Sequence, residues 1–217
     1  MIKSPVFADI LAARRSILPH IFRTPIRRYE SLSRLTGADV WIKHENFQIL
    51  GSFKVRGGLN LVSNLPIEVI AGGVITASTG NHGQSIAFAS RVFGGNATVV
   101  VPKRANPGKV QAMENLGANV IFHGEVFEDG KKHAEKLAQA KQFRYIDAAD
   151  EPLLVAGVAT YTLEIFEDLD KIDMILVPVG AGSGASGACI VADTVSPSTK
   201  VIAVQAEAAP AAYISWK

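Results

Sequence analysis

The sequence predicts a doubly wound α/β protein built on open parallel sheets, and three observations point there. Short apolar, β-branched runs recur along the chain: VITAS at 74–78, ATVVVP at 97–102 and MILVPV at 174–179. Each leads into a glycine-bearing turn, TGNHGQ, KRANPG or GAGSGASG, and then into a segment with helical apolar spacing. The runs are apolar throughout rather than alternating, as expected of strands covered by helices on both faces.

Taken in order, Ser4 and Pro5 read as an N-cap and first helical position, and Phe7, Ile10, Leu11, Arg14, Ile17, Leu18 and Ile21 continue at helical spacing. ADVWIKHE at 38–45 alternates like a strand, so the GSFKVRGG block at 51–58 lies near a strand-to-helix junction. From residue 70 the strand–turn–helix unit repeats, with ANVIFHG preceding a helix over 126–141 and VIAVQAE forming a strand over 201–207. A longer helical region at 151–169 separates two groups of such units. The expected organisation is a smaller α/β domain, 58–147, inserted into a larger one made of 1–57 and 148–217. The tail APAAYISWK reads as a helix barely begun, which implies that the C-terminal part of the larger domain lies beyond this chain.

Composition narrows the function classes. With 217 residues, 48% hydrophobic and 19% charged, the chain can bury a sizeable core and is not disordered. A formal charge of +2 without basic blocks excludes the electrostatic footprint of a nucleic-acid binder, so a small-molecule substrate is expected. Cys189 is alone, which rules out an intrachain disulfide and fits a reducing compartment. The apolar runs are too short to span a bilayer and the start lacks a signal-peptide layout, so the expected location is cytoplasmic, with no membrane partner.

Three constellations carry chemistry. Gly182, Gly184 and Gly187 form a GxGxxG after a strand, with Glu207 ending the next strand, which satisfies a dinucleotide fingerprint. The same turn suits a monophosphate, because any helix N-terminus offers free N–H groups and a positive dipole end. A second turn, ASTGNHGQ at 77–84, gathers Ser78, Thr79, Gly80, Asn81 and His82 near free N–H groups suited to a carboxylate. His82 reads as a structural hydrogen-bonding residue rather than an acid–base group. Lys54, beside Phe53 among glycines, is either a solvated surface charge or an amine whose pKa falls on burial until it can form a Schiff base. Arg56 reads as an ion pair on the solvent side. An amine, a carboxylate turn and a phosphate turn together describe pyridoxal phosphate acting on an amino acid.

ENFQILGSFKVRGG, ASTGNHGQS and PVGAGSGASG, in this order, resemble the pyridoxal-phosphate-dependent enzymes of fold type II, in particular the threonine dehydratase and serine racemase branch. The resemblance implies that Lys54 carries pyridoxal 5'-phosphate as a Schiff base and moves the α-proton, with Phe53 beside the cofactor and Asn81 bonding its 3-hydroxyl. It implies that Gly180, Ala181, Gly182, Ser183 and Gly184 cup the phosphate, although the family's four glycines are broken here by Ala181 and Ser183. The turn from Ser78 to His82 would receive the substrate carboxylate. Thr79 stands where racemising members carry an acid–base serine on the opposite face. The implied reaction is loss of water and ammonia from L-threonine or L-serine, with serine racemisation or another hydroxy-amino-acid lyase activity of the same family as the alternative. Some relatives bind a cation near the position of Glu207, but the companion acid is Tyr213 here, so no metal is expected. A homodimer is the expected assembly.

Two other readings stay open at this point. An NAD-dependent oxidoreductase explains GAGSGASG and Glu207 but leaves the other two motifs idle. A catalytically silent chain that binds cofactor or a partner is the reading from a different class.

Overall fold

Residues 3–217 are described in a computed structural model of the chain. The first helix, α1 (Phe7–Ile17), starts two residues later than Ser4 and Pro5 suggest. Its N-cap is Val6, whose backbone N–H donates to the Asp9 carboxylate at 2.8 Å. That side chain, three positions into the helix, satisfies an amide that Ser4 is too far back to cap. Helical spacing stops at Ile17, and Leu18–His20 turns as a 3-10 segment around Pro19, which has no N–H to continue the ladder.

Strands β1 (Ile26–Arg28) and β2 (Trp41–Lys43) pair antiparallel around helix α2 (Glu30–Thr36), so only the middle of the alternating run at 38–45 is strand. Helices α3 (Lys54–Ser63) and α4 (Ile67–Gly72) then lead into the repeating region. There β3 (Val74–Ala77), α5 (Asn81–Val92), β4 (Ala97–Val101), α6 (Pro107–Asn115), β5 (Asn119–Phe122), α7 (Phe127–Lys141) and β6 (Arg144–Tyr145) follow in turn. The four strands form one parallel sheet in the order β5-β4-β3-β6, with Val74 opposite Ala97 and Thr98 opposite Asn119. Every residue of β3 and β4 is buried, as apolar runs at the centre of a covered parallel sheet require.

The long helix α8 (Pro152–Asp168) precedes β7 (Met174–Pro178), α9 (Ser183–Val195), β8 (Lys200–Val204) and α10 (Ala211–Trp216). β7 and β8 make a second parallel sheet. Here, as the unfinished layer read from the sequence implies, only one face is covered. Ile175 and Val177 pack on Ala188 of α9, whereas Met174, Leu176, Ile202 and Val204 on the other face are exposed. The second strand stops at Val204, so Glu207 lies in the turn beyond it rather than at its end.

The main core joins α3, α5 and α8, with Val55, Leu59, Leu61, Val62, Ile86, Leu154 and Val158 all at most 1% exposed. Each such side chain contributes about 1.5–3 kcal/mol by leaving water. Glycines let the helices approach this closely: a Cβ on Gly157 would lie 2.4 Å from the Arg56 carbonyl oxygen, and one on Gly58 2.8 Å from that of Ser85. Arg56 is therefore not on the solvent side. It is fully buried between Glu45 and Glu164, because α3 turns it into the seam with α8.

Candidate active site

The turn at the end of β3 is closed by Ser78, whose Oγ accepts hydrogen bonds from the N–H groups of Gly80 and Gly83 at 3.1 and 2.9 Å. Gly83 is required there, since a Cβ would lie 2.6 Å from Met113 Sδ and 2.9 Å from Val99 Cγ1. Ser78 thus shapes the turn, while Thr79 stands exposed on it and Asn81 opens α5. Asn81 Oδ1 accepts a hydrogen bond from Lys109 Nζ of α6 at 2.7 Å. Lysine only donates, so the carboxamide oxygen is committed to α6 and Nδ2 is left as the free donor.

His82 is buried behind this turn. Thr76 Oγ1 donates to the Ile146 carbonyl at 2.8 Å, so the 3.0 Å contact to His82 Nε2 must be an N–H donated by the imidazole. Nδ1 is then an unprotonated acceptor, and among the described residues it has no partner. Burial, and after it the charge of Lys54, push the His82 pKa down to about 3. The ring is neutral at physiological pH with its single N–H engaged by Thr76, in keeping with the hydrogen-bonding role read from the sequence.

Lys54 is the first residue of α3, directly after Phe53 at the N-cap, and Gly51 (φ +66°) turns the chain into it. Ser85 of α5 donates to the Lys54 carbonyl at 2.5 Å, which ties this helix start to the carboxylate turn's helix. The ammonium lies 5.4 Å from the Phe53 ring centroid and donates to Ser183 Oγ at 2.8 Å. Burial lowers its pKa below the ordinary lysine value of 10.5. The surface-charge alternative is thereby set aside.

Ser183 opens α9 and is 2% exposed, so this single contact sets the turn 180–184 against Lys54 across 129 residues of sequence. Within the turn Gly182 takes a positive φ of +96°, whereas Ala181 and Ser183 do not, so neither substitution strains the backbone. A Cβ on Gly180 or Gly182 would meet nothing within 4 Å, leaving open space at the N-terminus of a 13-residue helix. Gly184 is packed instead, since a Cβ there would lie 3.3 Å from Tyr161 Oη and 3.4 Å from Phe53 Cζ. Gly187, the last glycine of the GxGxxG, backs onto α8, where a Cβ would lie 2.9 Å from Ala159 Cα, and so serves helix packing.

The sequence profile of the family described as pyridoxal-phosphate dependent enzymes matches residues 17–217. The chain belongs to that family. It is 37% identical over 209 residues to an L-threonine ammonia-lyase of Thermotoga maritima, which covers 96% of the chain and 52% of that protein. It is likewise 37% identical over 214 residues to a beta-hydroxyaspartate dehydratase of Paracoccus denitrificans, 98% of the chain and 68% of the relative. Among solved structures, a serine racemase from Dictyostelium discoideum superposes with a TM-score of 0.91 at 34% identity over 98% of the chain and 69% of its own. The chain spans from about half to two thirds of the length of these relatives.

The residues present fit the family's cofactor. A desolvated primary amine suits its aldehyde, the open turn before α9 suits its phosphate, and Asn81 Nδ2 suits an oxygen on its ring. Membership of this family removes the NAD reading of GAGSGASG, because the turn and the lysine facing it are explained together.

Sequence reasoning missed Lys109, Ser85 and Tyr161. Tyr161 Oη donates to the Gly184 carbonyl at 3.3 Å and its ring packs 5.5 Å from that of Phe53. Ser85 closes the ASTGNHGQS motif without a role assigned to it there, and Lys109 and Tyr161 sit in no local motif. Their roles come from contacts between separate helices, for which the linear sequence carries no signal.

Proposed function

We propose that the protein is a pyridoxal-phosphate-dependent dehydratase that converts L-threonine, L-serine or both to a 2-oxo acid and ammonia. The observation that carries this reading is Lys54 Nζ, desolvated and held 2.8 Å from the first residue of α9 at the open glycine turn. When bound, pyridoxal phosphate supplies an aldehyde that links to amines and a ring that takes up negative charge from the substrate α-carbon. Gly180 to Gly184 would present backbone N–H groups to the phosphate, and Phe53 would line the space beside the ring. The Asn81 Nδ2–H would donate to the ring's 3-oxygen. The turn from Ser78 to His82, with Ser78 fixing its shape, would receive the substrate carboxylate at the start of α5. Lys54, its pKa lowered by burial, would take the α-proton and return it where needed. Net loss of the β-hydroxyl as water, followed by release of ammonia, completes the reaction.

Thr79 supports a second activity. Exposed on the turn, it would supply a hydroxyl for proton exchange on the face opposite Lys54, as racemisation of serine requires. We further place the division between the two domains near residues 58 and 147, the protein in the cytoplasm and the assembly as a homodimer, on the sequence arguments above.

The test is chemical. Borohydride treatment of the protein with pyridoxal phosphate should fix the cofactor on the peptide containing Lys54, and 2-oxo acid should form from threonine or serine. Label without turnover would favour the silent-chain reading, and label on another lysine would overturn the assignment.

A further inference from the structure

Ser183 breaks a run of glycines in a turn where a backbone-only cup needs no side chain, and its hydroxyl is bonded to Lys54 at 2.8 Å while 2% exposed. We propose that Ser183 is a positioning residue that makes the nucleophilicity of Lys54 depend on an anion in the turn at 180–184. The inference rests on the cofactor reading above and deepens it.

The argument is one of hydrogen-bond inventory. A serine hydroxyl has one proton to donate and two lone pairs that accept. A neutral lysine amine has two protons and a single lone pair, and that lone pair must attack the aldehyde. Two arrangements of the Lys54–Ser183 contact are therefore available to the neutral amine. In one, Lys54 donates to Ser183 Oγ and its lone pair is free. In the other, Ser183 donates to Lys54 Nζ and occupies the lone pair. Around Ser183 the space at Gly180 and Gly182 is open and the start of α9 leaves N–H groups without intrahelical partners there, so a phosphate drawn to this turn would also accept the Ser183 proton. Once that proton is committed to phosphate, only the first arrangement remains. The amine is then held by its own N–H with the lone pair exposed.

The covalent step balances simply. The Lys54 lone pair forms a bond to the aldehyde carbon, the carbonyl oxygen leaves as water with both amine protons, and a C=N bond remains. Added borohydride delivers hydride to that carbon and a proton from water completes a stable secondary amine.

The experiment uses the cofactor-stripped protein and 5-deoxypyridoxal, an aldehyde without a phosphate, with and without inorganic phosphate. Timed samples are quenched with borohydride and the modified Lys54 peptide is quantified by mass spectrometry. Phosphate charge also favours the ammonium form, so rates are compared on the high-pH plateau where Lys54 is neutral throughout. Phosphate should raise the wild-type plateau rate about fivefold, the factor for freeing one ordinary hydrogen bond. Ser183→Ala should react at the raised rate without phosphate and show no stimulation, and Ser183→Thr should restore the dependence. Equal stimulation in wild type and Ser183→Ala, or none in wild type, overturns the inference while leaving Lys54 as the cofactor lysine. No label on Lys54 with pyridoxal phosphate itself overturns the cofactor reading, and this inference with it.

Discussion

Arg56 and Glu164 face each other through two hydrogen bonds, Nη1 to Oε1 at 2.7 Å and Nη2 to Oε2 at 3.0 Å, with the guanidinium wholly out of solvent. Glu45 takes Nε and the other face of Nη2, each at 2.8 Å, and Lys43 Nζ approaches Glu164 at 2.6 Å. Arg56 lies two residues beyond Lys54 on α3, so this buried network fixes the helix that presents the amine. Arg56→Met would leave two carboxylates facing each other in the core. Loss of one partner of a buried pair costs about 3–5 kcal/mol. Urea unfolding should show that drop, and Lys54 trapping by pyridoxal phosphate should slow under conditions where the variant is still folded.

Lys54 itself should lower the stability of the cofactor-free protein. Its folded pKa is below the unfolded value because burial disfavours the ammonium. Between the two values the unfolded chain binds more protons, so stability rises with pH across that window and the cost is fully present below it. Lys54→Met should therefore unfold at higher urea than wild type at neutral pH, with the gap closing as pH approaches 10.5. A wild type that is the more stable of the two at neutral pH would contradict the burial argument.

His82 works in the acid range. Its pKa is about 3 in the folded protein against an ordinary 6.5, so its contribution is present above 6.5 and is lost as pH falls toward 3. The full shift amounts to roughly 5 kcal/mol at about 1.4 kcal/mol per unit. His82→Gln can still donate to Thr76 but does not titrate, and its stability should fall less steeply over that interval. Imidazole nitrogen shifts should show the Nε2–H tautomer unchanged from pH 8 to 5.

Lys109 commits the oxygen of Asn81 and so leaves Nδ2 free for a ring oxygen of the cofactor. Lys109→Met removes the ammonium, the carboxamide can flip, and retention of cofactor should fall about fivefold, the worth of one ordinary hydrogen bond. Dialysis followed by absorbance of the released cofactor measures it. Lys109→Arg, which also only donates, should recover most of the loss.

Gly157→Ala tests the seam between α3 and α8. The added methyl would lie 2.4 Å from the Arg56 carbonyl oxygen and 2.8 Å from Asn60 Cβ, so the helices must part. Overpacking of this kind costs about 1–3 kcal/mol, readable as a lower thermal midpoint.

Much of the fold was legible because β3 and β4, the central strands of the main sheet, are short, largely apolar and wholly buried, a pattern that cover on both faces supports. The first cap was misplaced because the amide at Val6 is satisfied by Asp9, a partner further along the chain. Arg56 was misread for a related reason: nothing near it in sequence announces that Glu164, 108 residues away, will share its burial.

The sequence by itself determined the repeating strand–turn–helix order, the family and its cofactor, and the turns that begin α5 and α9, because backbone chemistry at Gly, Ser and Asn is local. Tertiary structure decided what those turns face. It turned Lys54 inward onto Ser183, buried His82 as a neutral acceptor and set Asn81 by way of Lys109. Burial and donor–acceptor pairing between distant helices fix protonation and orientation, and neither can be read from neighbours in the chain.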